Sequence, residues 1–210
     1  DKPPLIYWLM GFFYSLPKIE IWDSLGTLSA RLPSSLGSLF LMLMIADTLF
    51  CWPQKGDKQF FTPIAGSLGF ALSPLIIIWS RTAVSDALLT GTLGISLLLF
   101  WRRMASENND KCIAAWAFLG FAILTKGPVA FVLATLTITF FLIIQKDWRS
   151  LLNKINPKKG FLITILISVP WYVLELLREG RPFWDNFFGY HNFQRYTSVV
   201  NNHSEPIWFF

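Results

Sequence analysis

The sequence predicts an all-α integral membrane protein, a polytopic helical bundle with about six transmembrane helices and further helices lying along one membrane surface. Three observations carry this. Of 210 residues, 53% are hydrophobic and only 15% are charged, whereas about a quarter of an ordinary soluble domain is charged. The apolar residues are gathered into runs that approach the roughly 20 helical residues needed to cross a bilayer core of about 30 Å. Trp52, Trp79, Trp101 and Trp148 stand at or just beyond the ends of these runs, at the depth where amphipathic rings settle among headgroups.

Residues 1–34 do not read as a span. Pro3, Pro4, Pro17 and Pro33 interrupt them, Lys18, Glu20, Asp23 and Arg31 charge them, and the apolar stretch Leu5–Leu16 is too short to cross. A re-entrant or juxtamembrane helix on the outer side fits this composition. The six spans follow, over Ser35–Trp52, Phe60–Trp79, Val84–Trp101, Lys111–Thr125, Pro128–Gln145 and Gly160–Leu177. Residues 35–177 therefore form the transmembrane region. Residues 178–210 alternate aromatic and polar groups without the uninterrupted apolar length of a span, and form an outer membrane-surface segment. The chain opens on Asp1-Lys2-Pro3-Pro4 and stops inside the aromatic run Ile207-Trp208-Phe209-Phe210, as a fragment of a longer protein would.

Orientation follows from the basic residues. Lys55 and Lys58, then Arg102, Arg103 and Lys111, then Lys146, Arg149, Lys154, Lys158 and Lys159 occupy alternate loops, ten of the eighteen Lys and Arg. The positive-inside rule puts these loops in the cytoplasm, and Arg81, Lys126 and the two chain ends outside. Cys51 and Cys112 then lie at cytoplasmic ends, where thiols stay reduced. The net charge of +5 is membrane topology, since no basic stripe interleaved with aromatic residues suggests a nucleic-acid partner. Asp47 lies near the cytoplasmic end of its span, and the sequence gives it no role.

Two places carry chemistry. From Lys111 to Gln145 the sequence is apolar except at Thr125-Lys126-Gly127-Pro128. One helix of that length would run about 52 Å, too long for the bilayer. Pro128 disfavours helical geometry at Gly127, and glycine reaches a left-handed cap, so the chain turns back there. The first limb is only about 22 Å long, which draws Lys126 below the headgroup plane. An ammonium at that depth either snorkels to the interface or faces an anion, and a lipid phosphate lies at the same level. The second place is Arg81-Thr82-Ala83-Val84-Ser85-Asp86, between the second and third spans. Asp86 falls in the first turn of a helix with Ser85 as its N-cap, where the helix dipole favours a carboxylate whether or not it reacts.

His191 and His203 are candidates to hold a divalent metal together with a carboxylate, although their spacing matches no metal signature. No phosphate-binding glycine loop or dinucleotide fingerprint occurs, so a reaction here needs a donor that is already activated. Charges cluster at one face, while the span interiors carry mainly Ser, Thr and Gly. A transporter or lipid flippase would instead set polar groups at the midplane. A surface-facing enzyme fits better, with transporter, flippase and non-catalytic scaffold as the alternatives.

Asp1-Lys2-Pro3-Pro4-Leu5-Ile6-Tyr7-Trp8-Leu9, Ala30-Arg31-Leu32-Pro33-Ser34, Arg81–Asp86, Leu124-Thr125-Lys126-Gly127-Pro128, Pro170-Trp171-Tyr172, His191–Tyr196 and His203–Phe209 occur in an order that resembles one family. That family is the bacterial branch of the protein O-mannosyltransferase and lipid A aminoarabinose transferase superfamily, and the resemblance covers nearly the whole chain. It implies a membrane glycosyltransferase of the GT-C fold. Such an enzyme moves a sugar from a polyprenyl-phosphate donor to a lipid, glycan or protein acceptor, on the outer face of the bacterial inner membrane. By the same match Asp86 is the catalytic carboxylate, and Lys2, Lys126, Arg81 and Arg195 are candidate ligands of the donor phosphate. Asp1, Tyr7, His191 and His203 are candidate contacts for substrate or a divalent metal. The family's first acidic motif, in an outer loop before Lys-Pro-Pro, is absent from this sequence.

Overall fold

A computed structural model of the chain describes residues 3–16, 23, 25–51, 60–105, 112–145, 148–185 and 187. The described residues form ten helices: α1 (Leu5–Tyr14), α2 (Thr27–Cys51), α3 (Phe61–Ala71), α4 (Pro74–Trp79), α5 (Ser85–Ala105), α6 (Cys112–Lys126), α7 (Pro128–Ile144), α8 (Trp148–Ile155), α9 (Pro157–Glu179) and α10 (Arg181–Trp184). No strand occurs among the described residues. Two of the helices, α2 and α9, are long and apolar enough to cross a bilayer, while α1, α3, α6 and α7 are shorter apolar helices. The chain divides into a larger unit, Pro3–Ser168, and a smaller one that takes in Val169 onward, the division falling within α9.

Apolar side chains cover much of the outside. On α7 only Ala130 and Ala134 are buried, while Leu136, Phe140 and Ile143 are exposed to 62%, 68% and 75%. A helix so greasy on its open faces suits a hydrocarbon surround, in which the backbone satisfies its own hydrogen bonds. At the centre of the larger unit is α5, which packs against α2 and α6 and also meets α4, α7 and α8. It is buried along nearly its whole length, from Ala87 to Met104. Because its neighbours are helices, α5 needs small side chains more than apolar ones, and it carries Gly91, Gly94, Thr92 and Ser96 at contact positions. Ser96 donates to the Ala115 carbonyl at 2.8 Å across the α5–α6 seam, and Phe100 meets Trp116 edge to face at 4.8 Å.

Two glycines set the closest approach. Gly37 of α2 lies 3.3 Å from Leu88 Cα by its would-be Cβ, and a Cβ on Gly91 would stand 2.5 Å from the Gly37 carbonyl oxygen. Such small-residue seams let transmembrane backbones touch. Gly91→Ala is therefore expected to force α2 and α5 apart and cost about 1–3 kcal/mol, because backbone cannot move aside as a side chain does. Thermal melts in detergent against Gly69→Ala, where a Cβ meets nothing within 4 Å, check this. Equal melting of the two variants would contradict the seam.

Three local expectations differ from the structure. Pro33, expected to break the chain, lies inside α2. It is the seventh residue of the helix, where its missing N–H deprives the Ser29 carbonyl of its helical donor, while the backbone N–H of Ser29 donates to the Asp23 carboxylate at 2.7 Å. Desolvation pushes the Asp23 carboxyl up, but the N–H groups of Ser29, Leu28 and Thr27 outweigh it and hold it below the usual range. The expected span Phe60–Trp79 is two helices, since Pro74 occupies the first turn of α4 and Ser73 before it is extended at ψ 128°. Gly127 has positive φ as expected, yet its angles, φ 87° and ψ −156°, are not a left-handed helical cap. They fall in a region essentially reserved for glycine.

At the end of the bundle formed by the C-terminus of α2 and the C-terminus of α5, the expected polar loop starting at Arg102 is instead the last turn of α5. Arg102 and Arg103 are buried. The Arg102 guanidinium pairs with Asp47 and donates to Cys51 Sγ at 3.1 Å, so Asp47 has a structural partner that the sequence did not suggest. Lys154 of α8 donates to the Met104 carbonyl at 3.1 Å. Cys112 and Trp116 of α6 both donate to the Ile155 carbonyl, at 2.6 and 2.8 Å.

In the smaller unit, Gly180 (φ 67°) turns the chain from α9 into α10. Trp171, Tyr172, Phe183 and Phe187 form a contiguous aromatic cluster, with Phe183 and Phe187 stacked 5.4 Å apart.

Candidate active site

Helices α5 and α6 run antiparallel, so the first turn of one and the last residue of the other share an end of the bundle. Asp86 stands in that first turn and Lys126 ends α6. Their side chains form an ion pair, the lysine ammonium on Asp86 Oδ1. The two residues are 40 apart in sequence, and each was singled out by a separate local argument.

The backbone around both is fixed. α5 starts at Ser85, so Ser85 is its first helical residue and not a cap outside it. The Thr90 hydroxyl donates to the Asp86 carbonyl at 2.8 Å. On the other side, the Gly127 N–H bonds to the Ile123 carbonyl at 2.7 Å, Thr125 donates to the Phe121 carbonyl at 2.8 Å, and Pro128 opens α7 directly afterwards. What can move is the lysine stem. The side chains of Lys126 and Asp86 are 43% and 34% exposed, so the pair is open to an incoming molecule and its attraction is moderated by the surroundings.

The connection that delivers Asp86 is pinned to α2 by two hydroxyls that sequence reasoning passed over. Ser34 donates to the Val84 carbonyl at 2.9 Å and Ser35 to the Ser80 carbonyl at 2.6 Å. Adjacent serines at the start of a mainly apolar run were the available signal, because they present hydroxyls where lipid offers no partner. Between these anchors, Arg81 is exposed and enters no ion pair among the described residues. Tyr7 lies on α1 and is 53% exposed, and no hydrogen bond links it to Asp86 or Lys126 among the described residues. Of the candidates in the described residues, the structure thus brings together Asp86 and Lys126 and leaves Arg81 and Tyr7 outside that pair. Asp1, Lys2, His191, Arg195 and His203 lie outside the described residues. Among those described, no group of three or more His, Cys, Asp or Glu side chains is arranged to hold a metal ion.

Residues 1–173 match the model of the dolichyl-phosphate-mannose-protein mannosyltransferase family. The chain is 31% identical along its whole length to an uncharacterized protein of Aquifex aeolicus, covering 44% of that protein. It is 26% identical, again along its whole length, to the undecaprenyl phosphate-alpha-4-amino-4-deoxy-L-arabinose arabinosyl transferase 2 of Pseudomonas fluorescens, covering 37% of it. The crystal structure of ArnT from Cupriavidus metallidurans bound to undecaprenyl phosphate superimposes with a TM-score of 0.77 at 25% identity, over 94% of this chain and 35% of that one. The chain thus spans less than half the length of these relatives.

Proposed function

Since the chain belongs to the dolichyl-phosphate-mannose-protein mannosyltransferase family, we propose that it is part of an integral membrane glycosyltransferase that moves a sugar from a polyprenyl-phosphate donor to a lipid acceptor. The reading includes six membrane crossings, with the spans from Phe60 to Trp79 contributed by α3 and α4 together. It also includes an active site on the outer face of a bacterial inner membrane, flanked by the outer segments 1–34 and 178–210. The ion pair between Asp86 and Lys126 carries it.

A sugar joined through its anomeric carbon to polyprenyl phosphate brings one negative charge into the site. The acceptor oxygen attacks the anomeric carbon, the bond from that carbon to the phosphate oxygen breaks, and its electron pair leaves on the phosphate. Charge therefore grows on the leaving group as the reaction proceeds. A cation fixed beside it stabilises the transition state more than the ground state. Lys126 is that cation. Lys126 is paired with Asp86, and when the donor enters, its phosphate takes the place of the carboxylate on the ammonium. Asp86 is then released to face the acceptor. If the acceptor is a hydroxyl, Asp86 takes its proton; if it is already a phosphate anion, no proton moves and Asp86 orients the acceptor.

Lys126→Ala tests the reading. Loss of one charge-assisted hydrogen bond is expected to weaken polyprenyl-phosphate binding and slow transfer by about tenfold to a hundredfold. Lys126→Arg keeps the charge and should recover part of it, since a planar fork fits a point-charge site imperfectly. Wild-type binding and turnover in the alanine variant would remove Lys126 from the site.

A further inference from the structure

On the face of the larger unit bounded by α2, α3 and α4 lies an open groove of about 170 Å³. Its walls are Leu39 and Met42 of α2, Phe70 and Ala71 at the end of α3, and Ile76 of α4. The cause is the helix break at Leu72–Ser73. An unbroken helix from Phe61 to Trp79 would continue the ridge of α3 along α2, whereas Pro74 redirects the chain and opens a channel beside α2. Ser35 and Ser38 also line the groove, but their hydroxyls are spent on the carbonyls of Ser80 and Ser34, at 2.6 and 3.2 Å. The larger part of the groove's lining is thus carbon.

Ser80, at the end of α4, lines the groove, and the next residue in the chain is Arg81, which is exposed and in no ion pair among the described residues. Arg81 is held at this end because Ser80 is tied to Ser35 and Val84 to Ser34. A mainly apolar groove next to an exposed cation is complementary to one kind of molecule, an alkyl chain carrying an anionic head. We propose that the groove is a binding site for an anionic phospholipid of the membrane, with one acyl chain between α2, α3 and α4 and its phosphate on Arg81. The site is separate from the Asp86–Lys126 pair. A guanidinium can bind two phosphate oxygens in one plane, which favours a fixed lipid over a passing one. This assigns Arg81 to a resident lipid and not to the sugar donor.

The test uses the intact protein purified in a mild detergent, with co-purifying lipids identified and counted per protein by mass spectrometry. Wild type is expected to retain one acidic phospholipid. Arg81→Gln should lower that retention by about tenfold, from loss of one charge-assisted contact, and Arg81→Lys should restore part of it. Ala71→Phe, which fills the groove and leaves the cation in place, should lower it as well. No retained acidic phospholipid in wild type, or retention unchanged in both Arg81→Gln and Ala71→Phe, would overturn the proposal. If the lipid lost from Ala71→Phe is instead polyprenyl phosphate, the groove belongs to the donor. The phospholipid site then fails while the glycosyltransferase reading stands.

Discussion

Asp86→Asn is expected to yield a folded protein whose sugar transfer from polyprenyl phosphate falls by at least about a hundredfold, the lower range for loss of a positioned acid–base or orienting group. The amide has nearly the shape of the carboxylate but no charge and far less basicity. In the proposed reaction it neither accepts a proton from an acceptor hydroxyl nor pairs with Lys126 before the donor binds. Stability should change little. A first-turn carboxylate contributes up to about 1 kcal/mol through the helix dipole, and a partly exposed ion pair about as much again. Turnover per folded molecule, set against thermal melting in detergent, separates the two roles. A variant that melts early yet transfers at the wild-type rate would make Asp86 purely structural.

The largest expected loss of stability is at the opposite end of α5, from Asp47→Ala. Arg102 is almost fully buried, with 6% of its side chain exposed, while its partner Asp47 is 61% exposed. Removing the carboxylate takes from the guanidinium its ion-pair partner on α2 and keeps the bond to Cys51 Sγ at 3.1 Å among its remaining contacts. A buried charge stripped of its partner commonly costs about 3–5 kcal/mol. Because Asp47 reaches solvent or headgroups, screening reduces this to about 2–3 kcal/mol. The double variant Asp47→Ala, Arg102→Met should recover most of the loss, since it removes the buried charge together with Asp47. Thermal melting of the single and double variants measures both. A single variant as stable as wild type, or a double variant no better than the single, would show that the pair does not hold α2 to α5. Transfer per folded molecule should stay close to wild type in either variant.

These two positions show what was legible in the sequence. Local covalent rules read well: Gly127-Pro128 located the α6–α7 turn to within a residue, because proline and glycine act on the backbone whatever the tertiary structure. The same rule was under-applied at Pro74, where a long apolar run masked the break, and over-applied at Pro33, which α2 carries without ending. Asp86 and Lys126 were each visible as a charge at the edge of apolar sequence. Their pairing was not, since it depends on α5 and α6 meeting antiparallel. Arg102 was read as a loop residue because it follows an interfacial tryptophan. Its burial follows from α2 supplying Asp47 a helix away, which no periodicity in either segment encodes. The central place of α5 was likewise hidden, since a helix wrapped by other helices needs no apolar exterior and so looks less like a span than its neighbours.

The shortness of α6 has a further consequence. At 15 residues it is about 22 Å long, several ångströms less than a typical hydrocarbon core, and α7 beside it has only 17 residues. In the proposed orientation the bilayer must thin around this hairpin, or the hairpin must sink into it, and hydrophobic mismatch of this kind carries a modest energy for each ångström. That energy falls on the same hairpin whose turn presents Lys126. Acyl-chain length in the surrounding membrane thereby sets how deeply the ammonium lies relative to the phosphates around it, so that bilayer thickness becomes a determinant of how readily the donor's own phosphate comes level with the site.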